Sequence, residues 1–286
     1  SEIQPKNGYD IVTTINVNLQ DIAESALLKG LELNNADYGS VILMEVETGE
    51  IKAISNFSKN KSGYYTENYN YAIQGMHEPG STFKLASMLA YIEETNRSVL
   101  DSIDTGDGEF RFYSETMKDH KPGGYGKITI KEIFEKSSNI GVAMLIDDTF
   151  KDKPQNFLSY LKKFGFSDEF NFQIFGSSKP QIKNYADSSW SKVSLPWIAH
   201  GYELMLTPLH TLAFYNAIAN NGYYVQPQIV KNVRNANDII QKFDVPYPEK
   251  IATKNSVNTM KVLLEGVVEN GTADNIKHSN YKIAGK

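Results

Sequence analysis

Residues 81–94 constrain the fold more than any other stretch of the chain. Phe83, Leu85, Ala86, Met88, Leu89, Ala90 and Ile92 put apolar side chains on nearly every side of a helix. A helix without a polar face has to be surrounded by other elements, so the fold needs a core large enough to enclose it. With 286 residues, 41% hydrophobic and 12% aromatic, the chain can bury such a core as one large domain or two small ones. Ser81 opens this helix and Lys84 follows one turn later, where the lysine would be enclosed with the rest.

Other elements follow from spacing. Val17, Leu19, Ile22, Ala23, Ala26, Leu27 and Leu31 recur at helical intervals, which predicts an amphipathic helix over 17–33. Two β-rich runs, 39–46 and 50–54, flank Glu47-Thr48-Gly49 and predict a hairpin. Residues 56–72, polar and rich in Tyr and Asn, read as a loop. Residues 104–127 carry Gly106, Gly108, Pro122, Gly123, Gly124 and Gly126 and read as mostly irregular, with short strands at most. Helices are predicted near 129–136, 139–148 and 154–163. Another runs from Thr207-Pro208, with proline in the first turn, to about Asn220. Asn221-Gly222 ends it, a strand-like run reaches Val225, a last helix spans about 255–269, and a closing strand begins near 280. Strands early, helices in the middle, then helix and strand again predict an α/β (α+β) fold. In it one sheet is drawn from both ends of the chain and packed with helices.

Several function classes are excluded. A net charge of −5 with 22% charged residues offers no basic surface for nucleic acid and no polybasic membrane anchor. The absence of cysteine removes disulfides, thiol catalysis and thiolate metal sites. No apolar run approaches the roughly 18 residues of a membrane span, and no signal-peptide pattern opens the chain. His77, His120, His200, His210 and His278 are scattered with no His-Glu-x-x-His, and there is no Gly-x-Ser-x-Gly elbow.

The spacing Ser-x-x-Lys occurs five times, at 58/61, 81/84, 159/162, 189/192 and 279/282. Only the 81/84 copy follows Glu78-Pro79-Gly80 and enters a buried helix. Positions i and i+3 share a helical face, so the Lys84 amine can reach the Ser81 hydroxyl. Unpaired N–H groups at a helix start favour developing negative charge at Ser81. Burial and the positive helix end disfavour protonated Lys84 and make it a candidate base. A plain helix cap accounts for Ser81 equally well at this stage. Ser-x-Asn occurs at 58/60, 137/139 and 256/258, and only Ser137-Ser138-Asn139 lies between two helices with apolar flanks. There a hydroxyl could relay a proton and an amide could hold a peptide bond; a turn with a helix cap is the simpler account. Lys286, at the end of the predicted last strand, has no meaning of its own.

The ordered set Glu78-Pro79-Gly80-Ser81-Thr82-Phe83-Lys84, Ser137-Ser138-Asn139 and a lysine on the final strand resembles the penicillin-binding proteins, whose motifs are Ser-x-x-Lys, Ser-x-Asn and Lys-Thr-Gly. Thr13-Thr14-Ile15, Leu19-Gln20, Thr207-Pro208-Leu209, Ala217–Gly222 and Val267–Ala273 are similar to that family as well, so the resemblance covers nearly the whole chain. Gly201-Tyr202-Glu203 looks more like the class B, septal division type than the elongation type.

The resemblance implies a penicillin-binding transpeptidase/serine β-lactamase-like fold, with an antiparallel sheet flanked by helices plus a helical subdomain. It implies one transpeptidase domain over 1–286, sheet-bearing over about 1–75 and 222–286 and helical over about 76–221. Implied for the site are Ser81 as nucleophile and Lys84 as base. Ser137 would relay a proton to the leaving amine, Asn139 would hold the donor peptide's amide, and Lys286 would support the electrostatics of the site; Ser137, Asn139 and Lys286 also bind substrate. The implied reaction cross-links peptidoglycan stem peptides ending in D-Ala-D-Ala through an acyl-enzyme, needs no metal or organic cofactor, and is blocked covalently by β-lactam antibiotics. Partners implied are division and cell-wall synthesis proteins. The implied place is the outer, periplasmic side of the cytoplasmic membrane, reached through an N-terminal membrane segment and a pedestal domain that this chain does not show.

Two departures stand out. After Lys286 the family's motif continues Thr/Ser-Gly, and here the chain stops. The expectation is therefore that the final strands and one oxyanion-hole donor are missing, leaving this piece weakly active or inactive, since one such donor is worth about 10²–10³ in rate. His210 stands where the family usually has Gln. A serine β-lactamase of the same fold is disfavoured by the long gap between 81 and 137 and the lack of an activating-glutamate loop. A penicillin-sensing domain with a degenerate site is the non-enzymatic alternative.

Overall fold

The computed structural model describes residues 8–167, 169–170, 172–236, 238–245 and 247–286. The chain forms a mixed α/β fold that divides into two compact units: Ser1–Gly75 with Glu169–Ser178 and Val225–Glu249, and Met76–Asp168 with Lys179–Tyr224 and Lys250–Lys286.

In the first unit α1 (Val17–Asn34) starts where Asn16 Oδ1 accepts the Leu19 N–H at 3.2 Å, and it ends at Asn35 in the left-handed region. Its apolar stripe is narrower than the spacing suggests. Ala23 and Leu31 are buried, whereas Val17 and Ile22 face outward. The predicted hairpin is present: Tyr38–Met44 pairs antiparallel with Ile51–Lys59, Ile42 opposite Ile54. Gln20 of α1 clasps the open side of the second strand, its amide donating to the Ile54 carbonyl and accepting the Ile54 N–H, both at 2.9 Å.

The polar stretch expected as a loop is partly strand. Tyr65–Thr66 pairs back on Ser58 and Lys59, because Asn60 Oδ1 accepts the N–H groups of Ser62 and Tyr64 and closes a tight turn. A four-residue helix, α2 (Tyr71–Gln74), follows. Asp10–Thr13 pairs with Val230–Asn235, and that strand with Asp238–Lys242, in a sheet separate from the hairpin's rather than in the single sheet expected. Its link to the hairpin is one parallel bridge, Glu50 to Gln228.

The second unit is built around the helix that dominates the sequence. A 3-10 turn, Gly80–Phe83, leads into α3 (Lys84–Thr95), and nine of its twelve residues are buried. It packs against α5 (Asn139–Phe150), α6 (Pro154–Lys163) and α9 (Lys254–Glu269), and Ser87 bonds to the end of α7 (Ser194–Ala199); α4 (Ile130–Glu135) and α8 (Pro208–Ala219) complete the helices of this unit. Caps fix several starts: a Thr129/Glu132 capping box on α4, Ser138 on α5, and Thr207 on α8, where His210 Nδ1 also meets Thr207 Oγ1 at 2.7 Å.

The glycine-rich region holds two short strand pairs, Ser102–Asp104 with Lys127–Thr129 and Glu109–Phe112 with Glu115–Lys118. Phe112 and Met117 of the second pair pack on Ile140 and Ala143 of α5.

The closing strand near 280 is not formed. Residues 281–286 form no regular element and pair with no strand among the described residues. Their neighbour is α9, to which the Gly285 N–H donates at the Leu264 carbonyl. A helix commits most of its backbone groups internally, so beyond an isolated bond such as this one it offers no ladder for a strand. No helix among the described residues is long and apolar enough to cross a membrane.

Candidate active site

The 3-10 turn decides how Ser81 and Lys84 relate. In such a turn side chains at i and i+3 eclipse, so both project to one side at the mouth of α3. Ser81 is exposed and Lys84 is fully buried. The expected reach of the amine to the Ser81 hydroxyl is not made as a hydrogen bond among the described residues. Lys84 Nζ turns instead to the segment between α4 and α5, 2.7 Å from the Ser137 carbonyl, 3.2 Å from Ser137 Oγ and 2.6 Å from Asn139 Oδ1.

That segment is shaped to receive it. Ser137 has a φ of 58°, a conformation few non-glycine residues adopt and one that concentrates at functional sites. Asn139 is oriented from both ends of its amide: Nδ2 donates to the Lys118 carbonyl at 3.0 Å while Oδ1 accepts from Lys84. The network thereby assigns which end is oxygen.

The electrostatics follow from burial. Desolvation, joined by the positive charge of Lys286, lowers the Lys84 amine from 10.5 to about 7, against the smaller opposing pull of Asp119. Burial also brings Lys286 down to about 8. Lys286 lies not on a strand but at the end of the segment 281–286 beside α9, its Nζ 5.2 Å from the centre of the Phe134 ring. Ser81, Lys84, Ser137, Asn139 and Lys286 all belong to the second unit.

The family model for the penicillin binding protein transpeptidase domain matches residues 39–286. The chain belongs to this penicillin-binding transpeptidase family. Among its relatives, penicillin-binding protein PbpB of Mycolicibacterium smegmatis is 26% identical over 98% of this chain and 44% of that protein. Peptidoglycan D,D-transpeptidase FtsI of Buchnera aphidicola subsp. Schizaphis graminum is 29% identical over 99% of this chain and 48% of that protein. The chain thus spans about half the length of the curated relatives it matches. Among solved structures, penicillin-binding protein 3 of Mycobacterium tuberculosis, complexed with aztreonam, superposes with a TM-score of 0.82. It is 24% identical, over 93% of this chain and 60% of that one.

In this family member, three neighbours of the motifs play parts at the site that the sequence did not show, although Gly201 was singled out there for its resemblance. Asp119, just after the strand Glu115–Lys118, places its carboxylate on the start of α5: Oδ1 accepts the N–H groups of Asn139 (2.6 Å) and Ile140 (3.1 Å), and Oδ2 accepts the Ser138 hydroxyl (2.8 Å). A carboxylate is favoured there by the helix dipole. The signal was an acidic residue twenty places ahead of Asn139 in a glycine-rich stretch, unreadable without knowing that the hairpin folds onto α5.

Ala199-His200-Gly201 runs alongside the start of α3. The Ala199 carbonyl accepts the Ser87 hydroxyl at 2.7 Å, and the Gly201 carbonyl accepts the Gly80 N–H at 3.0 Å. His200 between them is buried, and that burial holds its imidazole down at about 4, neutral at physiological pH. Tyr215 of α8 donates its hydroxyl to the Thr82 carbonyl at 2.7 Å and so braces the turn from behind.

Proposed function

We propose that the chain is the catalytic domain of a serine D,D-transpeptidase that cross-links peptidoglycan stem peptides ending in D-Ala-D-Ala and is acylated by β-lactams. The observation that carries this reading is the buried Lys84 amine, held by Ser137 and Asn139 one turn after an exposed Ser81. An amine brought down to about 7 is largely neutral just above neutrality. Its two N–H groups can serve the Asn139 amide oxygen and the Ser137 carbonyl, which only accept, and its lone pair is left for a hydroxyl proton.

In the proposed cycle Ser81 Oγ attacks the carbonyl carbon of the penultimate D-alanine, and its proton passes to Lys84 Nζ. The C–N bond then breaks. Ser137, in reach of Lys84, passes a proton to the departing D-alanine amine, and the acyl group stays on Ser81. An amine from a second stem attacks the ester and restores the Ser81 hydroxyl. Protonated Lys286 supplies positive charge, and Asn139 offers its second amide N–H to the donor peptide. Asp119 is a positioning residue that pins Ser138 and Asn139. The relatives named for peptidoglycan transpeptidation, FtsI proteins among them, support a role in septal wall synthesis. That role would put the domain on the outer face of the cytoplasmic membrane among division proteins, within a protein longer than this chain.

The deciding experiment is mass spectrometry of the chain after prolonged incubation with a fluorescent penicillin, long enough for slow acylation to reach completion. One adduct per chain is expected, on the peptide containing Ser81, and none in Ser81→Ala; an adduct elsewhere, or its persistence in that variant, refutes the assignment. The pH dependence is a second test. Lys84 must lose its proton, so acylation should rise as pH climbs through about 7; Lys286 must keep its own, so the rate should fall above about 8. A flat profile from pH 6 to 9 would remove both lysines from the chemistry.

A further inference from the structure

The second unit also carries a cavity of about 520 Å³, lined from the tip of the hairpin Glu109–Lys118, the end of α5 and the residues leading into α7. Its walls include Tyr113, Tyr185 and Trp190. Tyr185 and Trp190 pack edge to face, ring centres 5.7 Å apart, and Lys192 Nζ lies 5.9 Å from the centre of the Tyr113 ring. Tyr113 and Tyr185 are 42% and 52% exposed, an arrangement that leaves ring surface uncovered.

Tyr113 is the anomaly. It occupies the hairpin tip with a φ of 54°, where asparagine or glycine would be unstrained and a bulky aromatic is an outlier. What holds it is its hydroxyl, which donates to the Asp147 carboxylate, 3.2 and 3.1 Å from its two oxygens. Backbone strain of this kind persists only where the surrounding structure over-determines it, and it clusters at ligand and active sites. Asp147 is itself half-buried, and that burial, with Asp148 and Asp152 nearby, raises its carboxyl. No lysine or arginine reaches salt-bridge distance of it among the described residues. The charges on the lining cancel, Asp147 and Asp152 against Lys151 and Lys192. A strongly charged ligand gains nothing from such a wall, whereas a neutral polyhydroxyl compound finds acceptors, donors and aromatic faces together.

We propose that this cavity is a saccharide-binding site, taking a short stretch of β-linked N-acetylhexosamine chain with sugar C–H faces against Trp190 and Tyr185 and hydroxyls on Asp147. The sugar identity rests on the proposed function, since a glycan strand is what carries the stem peptides; the site would hold that strand while the peptides react. It is built from the C-terminal end of α5, whereas Asn139 stands at that helix's start, eight positions before the lining residue Asp147, or about 12 Å of helix.

The test is saturation-transfer NMR of the chain with triacetylchitotriose, with the stem pentapeptide as comparison. Saturable transfer to the sugar ring protons is expected in the millimolar range, weakened at least tenfold in Trp190→Ala and in Tyr185→Ala. Both variants should still be labelled by penicillin at Ser81 at the parent rate, which shows that they fold. No saturable transfer up to about 20 mM, equal transfer in parent and variants, or preferential binding of the pentapeptide overturns the site. Absence of any Ser81 adduct in the parent chain after prolonged incubation would instead overturn the transpeptidase reading, so the two failures are separable.

Discussion

Lys84→Met is expected to slow acylation of Ser81 by about 10²–10⁴, the range typical of losing a positioned general base, while leaving the domain folded with a Tm within a few degrees of the parent. Methionine matches lysine's unbranched stem, so the buried channel stays filled. Two opposing effects then decide stability. Holding a fully buried amine at about 7 instead of 10.5 costs on the order of 5 kcal/mol near neutral pH, and the substitution relieves it. Against this, Asn139 Oδ1 and the Ser137 carbonyl lose their donor, at about 1–3 kcal/mol each when buried. The two are of similar size and nearly cancel.

The sign of the pH dependence provides a second measurement on the same variant. Between about 7 and 10.5 the unfolded chain carries a proton on Lys84 that the folded chain does not, so parent stability rises with pH through that window. Lys286 adds a similar slope only above about 8. Lys84→Met should therefore abolish the rise between 7 and 8 and keep part of it above. Acylation at the parent rate at neutral pH would rule out Lys84 as the base.

The parts of this molecule that were legible in the sequence are those set by periodicity and local chemistry. The run from Phe83 to Ile92 could only be a buried helix, and α3 is one. Val17 to Leu31 gave a helix by spacing, but spacing does not say how wide a stripe is covered, and Ile22 and Val17 stand in solvent. Asn60 closed a turn that composition alone did not distinguish from a loop, because Asx turns and loops draw on the same residues. Residues 281–286 have strand-like composition and no strand partner, and pairing is a property of the neighbour as much as of the segment.

At the site, motif order singled out five positions, all in one unit. It could not show that the Lys84 amine would turn toward Ser137 and Asn139 rather than Ser81, because that depends on where the segment between α4 and α5 arrives. For the same reason Asp119 was invisible, and His200 and Gly201, though named in the sequence, showed nothing there of their place beside the start of α3. Each acts across a tertiary approach, and none sits at a fixed offset from the serine.

Gly201→Ala should produce the largest effect of any single methyl group added near the site. The residue has a φ of 96°, and a Cβ there would stand 2.0 Å from the Gly80 carbonyl oxygen and 2.5 Å from its carbon. Both are backbone atoms, so no rotamer change relieves the clash. The approach is already fixed by the Gly80 N–H bond to the Gly201 carbonyl, and Gly80 is the residue before the nucleophile. Accommodation has to push the 3-10 turn, and Ser81 with it, away from the Ala199–Gly201 segment. Positive-φ strain of about 1–3 kcal/mol adds to overpacking of about 1–3 kcal/mol, for an expected loss of roughly 2–6 kcal/mol in a denaturant titration. A displacement of about 1 Å at a reacting group is enough for a 10²-fold loss of rate, so the folded fraction should acylate about a hundredfold more slowly. Gly123→Ala separates strain from clash: its φ is 76° but nothing lies within 4 Å of the added carbon. That variant should lose only the conformational share and acylate at the parent rate. Parent-like acylation by folded Gly201→Ala would mean that the Gly80–Gly201 contact does not position Ser81, and the turn would have to be held by α3 and Tyr215 alone.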